Sequence, residues 1–84
     1  MMVKKITTES GRVYLVDMAQ QMFTRVGDGV APGQWYPNNT PTRFTDVEGM
    51  EVGKQAFIWQ RGSYADPDLY QRTSPIISIV DISA

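Results

Sequence analysis

The sequence predicts an all-β protein, a small antiparallel barrel or sandwich of six to seven short strands carrying one long loop at residues 27–43. Three observations predict it. Runs rich in β-branched and aromatic residues recur along the chain, as in "VYLVD", "FTRV", "AFIWQ" and "IISIV". Turn formers separate these runs at intervals of roughly ten residues, the spacing of small β-domains. Within the runs the side chains alternate: Val13 and Leu15 share one face, Tyr14 and Val16 the other.

The first two strands flank the Ser10-Gly11 turn between "VKKITTES" and "RVYLVD", a hairpin signal. Both faces of "VYLV" are apolar, which places this strand centrally, covered on both sides by protein or by another copy. The segment "DMAQQMFTRV" allows two readings. Met18, Met22, Phe23 and Val26 have helical spacing behind an Asp17 N-cap, yet "FTRV" is built of strand formers. A second hairpin turning at 18–21 is preferred to a short helix.

From Gly27 to Arg43 the chain reads "GDGVAPGQWYPNNTPTR", with three glycines and three prolines among seventeen residues. Neither a ladder nor a helix runs through such a stretch, because proline removes donors and glycine frees φ. Loops longer than about 12–15 residues are usually functional or disordered, and Trp35 and Tyr36 argue against disorder. After the loop come a short strand in "RFTDVE", a Glu48-Gly49 turn and the strand "KQAFIWQ", again apolar on both faces. A second loop is expected at 61–71. The final strand is "IISIVDIS", with Pro75 marking an edge or a bulge at its start.

With 84 residues the chain forms a single β-domain over 1–84. A domain this small usually needs a staple, and with no cysteine and no histidine it has neither a disulfide nor a zinc site. Self-association is the remaining device, so a homo-oligomer is expected. The lack of cysteine, and of any signal-peptide pattern, points to the cytoplasm, the host cytoplasm if the chain is phage-encoded. No apolar run approaches the roughly 20 residues that span a bilayer, so no membrane association is expected. Eight basic against nine acidic residues give a net charge of −1, and nucleic acid is an unfavoured partner because phosphate backbones require clustered cations.

The absence of histidine and cysteine removes the common neutral-pH base, the Ser-His and Cys-His nucleophiles and thiolate metal sites. Only carboxylates remain, at Asp28, Asp46, Glu48, Glu51, Asp66 and Asp68. These lack the spacing of a calcium loop or a catalytic pair, and Asp beside Pro or Gly initiates turns through its own backbone. "GDGVAPG" lacks the "GK[ST]" ending of a phosphate loop. No catalytic residue, metal ligand or cofactor is predicted, and the chain reads as a non-enzymatic binding protein.

The binding signal lies in Trp35 and Tyr36, with Asn38, Asn39 and Arg43 close by. Aromatic faces stack rings, Arg pairs with anions and Asn reads hydrogen-bonding edges; the same residues also anchor protein interfaces. Trp35 has a second possible use, as a plug for an open barrel end. Adjacent aromatics in an extended segment point opposite ways, so only one of the pair is expected inside. Arg61, Tyr64, Tyr70 and Arg72 form a second group. Where loops 27–43 and 61–71 meet, a rim of Trp, Tyr and Arg would suit a small flat anionic ligand such as a nucleotide. The alternatives are ion pairs of Arg61 and Arg72 with Asp66 or Asp68, and a protein-interaction module, inhibitor or assembly adaptor, docking on a host protein through the same loop or a strand edge.

The opening "ITTESGRVYLVD" and the ending "QRTSPIISI" resemble a loose group of short β-rich proteins of actinobacteria and their phages. Thr8, Ser10, Gly11, Tyr14 and Asp17 match the first hairpin of that group, and Thr73, Ser74, Pro75, Ile76, Ile77 and Ile79 match its closing strand. The resemblance covers about a quarter of the chain and carries over no site. It implies a phage-type accessory protein, for which one concrete role is sequestration of a nucleotide signal of host defence.

Overall fold

The protein folds into one curled antiparallel sheet, seen in a computed structural model that describes residues 3–82. Its strands are β1 (Val3–Thr8), β2 (Val13–Asp17), β3 (Met22–Val26), β4 (Thr42–Arg43), β5 (Asp46–Glu48), β6 (Gln55–Gln60) and β7 (Leu69–Ile82). They lie in the order β4-β3-β2-β1-β7-β6-β5, and every neighbouring pair is antiparallel. No helix is present among the described residues.

Three hairpins follow from local chemistry. Gly11, at φ 85°, turns β1 into β2, and its N–H returns to the Thr8 carbonyl. Asp17 accepts the N–H groups of Ala19 and Gln20 on Oδ1, which selects the turn at 18–21 over a helix. Gly49 takes φ 74° after β5, where any Cβ would meet the Gln55 carbonyl oxygen at 2.2 Å.

The alternation sorts the two faces. Ile6 and Thr8 of β1, Tyr14 and Val16 of β2, Phe23 and Arg25 of β3, Ala56 and Ile58 of β6, and Thr73 and Ile76 of β7 are buried. Tyr36 and Phe44 join them from outside the strands. The second apolar face of β6, Phe57 and Trp59, lies half-buried on the other side of the sheet.

Two features depart from the element-by-element reading. The closing strand begins at Leu69, well before Pro75, so the loop expected at 61–71 ends at Asp68. Pro75 falls in the middle of a 14-residue strand. It stands at an irregular step where both neighbours are still beside β7: Pro75 faces Gln55 of β6, and its carbonyl takes the Glu9 N–H just past the end of β1. Residues 69–72 and Pro75 pair with β6, and residues 76–82 pair with β1. A register shift on β6 between Gln55 and Phe57 accompanies this step, and the Ala56 N–H is bonded there by Thr73 Oγ1.

The other departure concerns the edges. β4 and β5 stand at opposite edges of the sheet but are separated in the chain by only Phe44 and Thr45. The Phe44 N–H donates to Gln21 on one side, and the Thr45 N–H donates to Trp59 on the other. One bent segment therefore draws the two edges of the half-barrel together. A strand edge at β4 or β5 is only two or three residues long, as expected where a sheet hides its edges.

Candidate functional site

The long loop is an ordered structure held by its own amides. Gln34 donates through Nε2 to the Tyr36 carbonyl and to Asn38 Oδ1, while its Oε1 accepts the Ala31 N–H. Asn39, at φ 60°, exchanges two bonds with Gly27, accepting its N–H on Oδ1 and donating Nδ2 to its carbonyl. Arg25, only 5 % exposed, donates Nη1 to the Gly29 carbonyl and to Asn38 Oδ1. Arg12 donates to the Asp28 carbonyl from outside. The amides of Asn38 and Asn39, expected to read a ligand, are thus spent on shaping the loop.

That shape decides the fate of the two adjacent aromatics. Tyr36 turns inward and is buried, its ring 4.8 Å from Phe23, and its hydroxyl donates to Gln71 Oε1 at 2.6 Å. Burial, with the Tyr14 phenol beside it, pushes its ionisation well above the usual phenol range. Tyr36 is therefore a core residue, and the contact surface expected of the pair narrows to Trp35. Trp35 is half-buried: it packs edge-on against Phe23 and Tyr36, and its indole N–H donates to the Tyr70 carbonyl at 3.2 Å.

Beside Trp35 opens a cleft of about 520 Å³. One wall is Ala31, Pro32, Gly33 and Trp35 of the long loop; the other is Asp68, Leu69, Tyr70, Gln71 and Arg72. The structure thus brings together Trp35 of the long loop with Tyr70 and Arg72 of the second group the sequence singled out, both of which lie on β7. Arg72 makes no ion pair among the described residues.

The remaining candidates lie elsewhere. Arg61 sits over the Trp59 ring at 3.8 Å and faces Asp46 at 3.1 Å, Asp68 at 3.6 Å and Glu48 at 3.9 Å. Its bond to Asp46, with a second from Thr45, holds the Asp46 carboxyl below its ordinary range. Trp59 in turn donates to Glu48 and packs against Tyr70 at 4.9 Å, so Arg61 completes a surface cluster and its charge is spent. Tyr64 is fully exposed on the loop after β6, outside the lining of this cleft. Arg43 is exposed on β4, opposite Met22, outside the cleft lining.

Sequence reasoning missed Gln71, Leu69 and the Ala31–Gly33 wall. Once β7 is known to start at Leu69, the i, i+2 rule places Tyr70 and Arg72 on one face. That start was masked by Asp66, Pro67 and Asp68 just before it. A second, smaller hollow lies on the outer sheet face among Val3, Leu15, Met22 and Pro41. It carries one carboxylate, Asp17, and no cation.

The fold and the cleft define an all-β scaffold with a stiff loop laid over one strand end. No family model, no curated protein and no solved structure matches the chain. Among the described residues no helix is long and apolar enough to cross a membrane.

Proposed function

We propose that this protein is a non-enzymatic binding module whose cleft takes a small, flat, anionic molecule of the nucleotide class. The supporting observation is the convergence of Trp35, Tyr70 and Arg72 on one cleft from segments 35 residues apart in sequence. Trp35 and Tyr70 supply ring faces and edges for a planar group. Arg72 supplies a positive charge that no internal carboxylate cancels. Asp68, the one acid in the lining, is already engaged by the Gly62 N–H and by Arg61.

The likeness of the chain ends to phage-type β-rich proteins gives this reading its concrete form: an accessory protein that sequesters a nucleotide signal of host defence in the host cytoplasm. Calorimetric titration of the full chain with ADP tests it. Saturable binding that weakens about tenfold in Arg72→Gln, the loss of roughly one charge-assisted contact, is the expected result. No heat of binding at millimolar ADP would remove the reading.

A further inference from the structure

The floor of the cleft carries more information than its side chains do. Across the β6–β7 pair, Trp59 stands opposite Tyr70 and Phe57 opposite Arg72. The Trp59 carbonyl accepts the Thr45 N–H, so its main-chain groups are turned toward β5 and away from β7. Directly opposed residues of an antiparallel pair either exchange both bonds or exchange neither. The N–H and C=O of Tyr70 therefore point away from β6, and two residues on those of Arg72 do the same. On that side β1 has ended, since its last pairing is Thr8 with Ile76. Residues 69–72 thus expose a strand edge to the cleft, with the Trp35 segment laid alongside.

The acceptors of this edge are occupied and the donors are not. The Tyr70 carbonyl takes the Trp35 indole N–H, and the Arg72 carbonyl takes Nε2 of Gln71 at 2.6 Å. Gln71 Oε1 takes the Tyr36 hydroxyl, and the Ala31 carbonyl across the cleft takes the Gln34 N–H. No described group accepts the N–H of Tyr70 or Arg72. These two donors lie about 6.6 Å apart, two strand residues at ~3.3 Å each, next to the Arg72 guanidinium. An extended peptide adding to an edge needs acceptors as well as donors, and here its own N–H groups would find the carbonyls taken.

We infer that the ligand carries two linked oxyanion groups, as a nucleoside diphosphate does, held by the N–H groups of Tyr70 and Arg72 and by the Arg72 guanidinium. This rests on the reading of the cleft as an anion site and specifies what it selects. Two phosphoryl groups spread their acceptor oxygens over a wider span than one phosphate does, and they ask for no acceptor in return. A single phosphate reaches one N–H, and a nucleoside reaches neither.

Amide and indole NMR spectra of the full isotopically labelled chain, titrated separately with ADP, AMP and adenosine, test the inference. With ADP, the Tyr70 and Arg72 amide signals move downfield and saturate, at an affinity at least about tenfold tighter than for AMP. Adenosine leaves both amides in place. If ADP and AMP bind equally, or if ADP shifts the Trp35 indole signal while the two amides stay still, the diphosphate assignment falls and the cleft reading survives; if adenosine binds as well as ADP, both fall. If neither indole nor amides respond to any of the three, both fall. Saturable shifts of these amides by an uncharged extended hexapeptide would also overturn the assignment, because they would show a strand-binding edge.

Discussion

The Tyr36 hydroxyl donates to Oε1 of Gln71 at 2.6 Å, joining the middle of the long loop to the strand that floors the cleft. The bond fixes the Gln71 amide so that its Nε2 points at the Arg72 carbonyl. A buried phenol thereby settles which hydrogen-bonding groups the cleft presents. Tyr36→Phe removes one hydrogen bond and leaves Gln71 Oε1 without its partner, so a loss of about 1–2 kcal/mol is expected in urea unfolding.

The same residue sets an alkaline limit. Its folded-state ionisation is raised, first by burial and then by Tyr14, so the stability it contributes is complete below its unfolded value of 10.0. That stability declines as pH rises from there toward the folded value. Urea midpoints measured across the alkaline range should fall with pH in the natural protein and fall less steeply in Tyr36→Phe.

Phe23 is fully buried and meets three rings edge-on, those of Trp35, Tyr36 and Phe44. Phe23→Ala empties the point where loop, bent segment and sheet converge. A loss of about 3–5 kcal/mol is expected, read from chemical denaturation. For a domain of this size such a loss approaches the whole stability, so a fraction of the variant should be unfolded without denaturant.

At the surface, Arg61 is the main reason the Asp46 carboxyl ionises below its ordinary range. The linked stability is present above the unfolded carboxylate value and disappears as pH falls through the folded one. In Arg61→Gln the Asp46 side chain, followed by carboxyl NMR, should titrate closer to an ordinary aspartate.

Much of the scaffold is legible in the sequence because its causes are local. The Gly11 turn, the Asp17 turn and the alternation of Tyr14 and Val16 against Val13 and Leu15 each depend on neighbours a few positions away. What was not legible depends on partners far along the chain. Pro75 reads as the start of a strand, yet sits inside one, at the irregular step where β7 still faces Gln55 of β6 and begins to meet β1. Tyr36 reads as half of a surface pair, but Phe23 and Gln71, thirteen and thirty-five positions away, draw it inside. The cleft has the same character: the long loop announces itself in the sequence, and only the fold says that it lies against the start of β7.

Gly49→Ala tests the turn that pairs β5 with β6. A Cβ there meets the Gln55 main chain at a φ that disfavours side chains, so the turn between β5 and β6 must shift. A destabilisation of more than about 1 kcal/mol is expected in thermal or urea unfolding.

The central claim is that Trp35 faces a ligand across the cleft. Trp59→Phe leaves Trp35 as the only tryptophan, and its fluorescence titrated with ADP reports on that cleft alone. A saturable change in emission with one site per chain is predicted; emission that stays constant to millimolar ADP would contradict the claim.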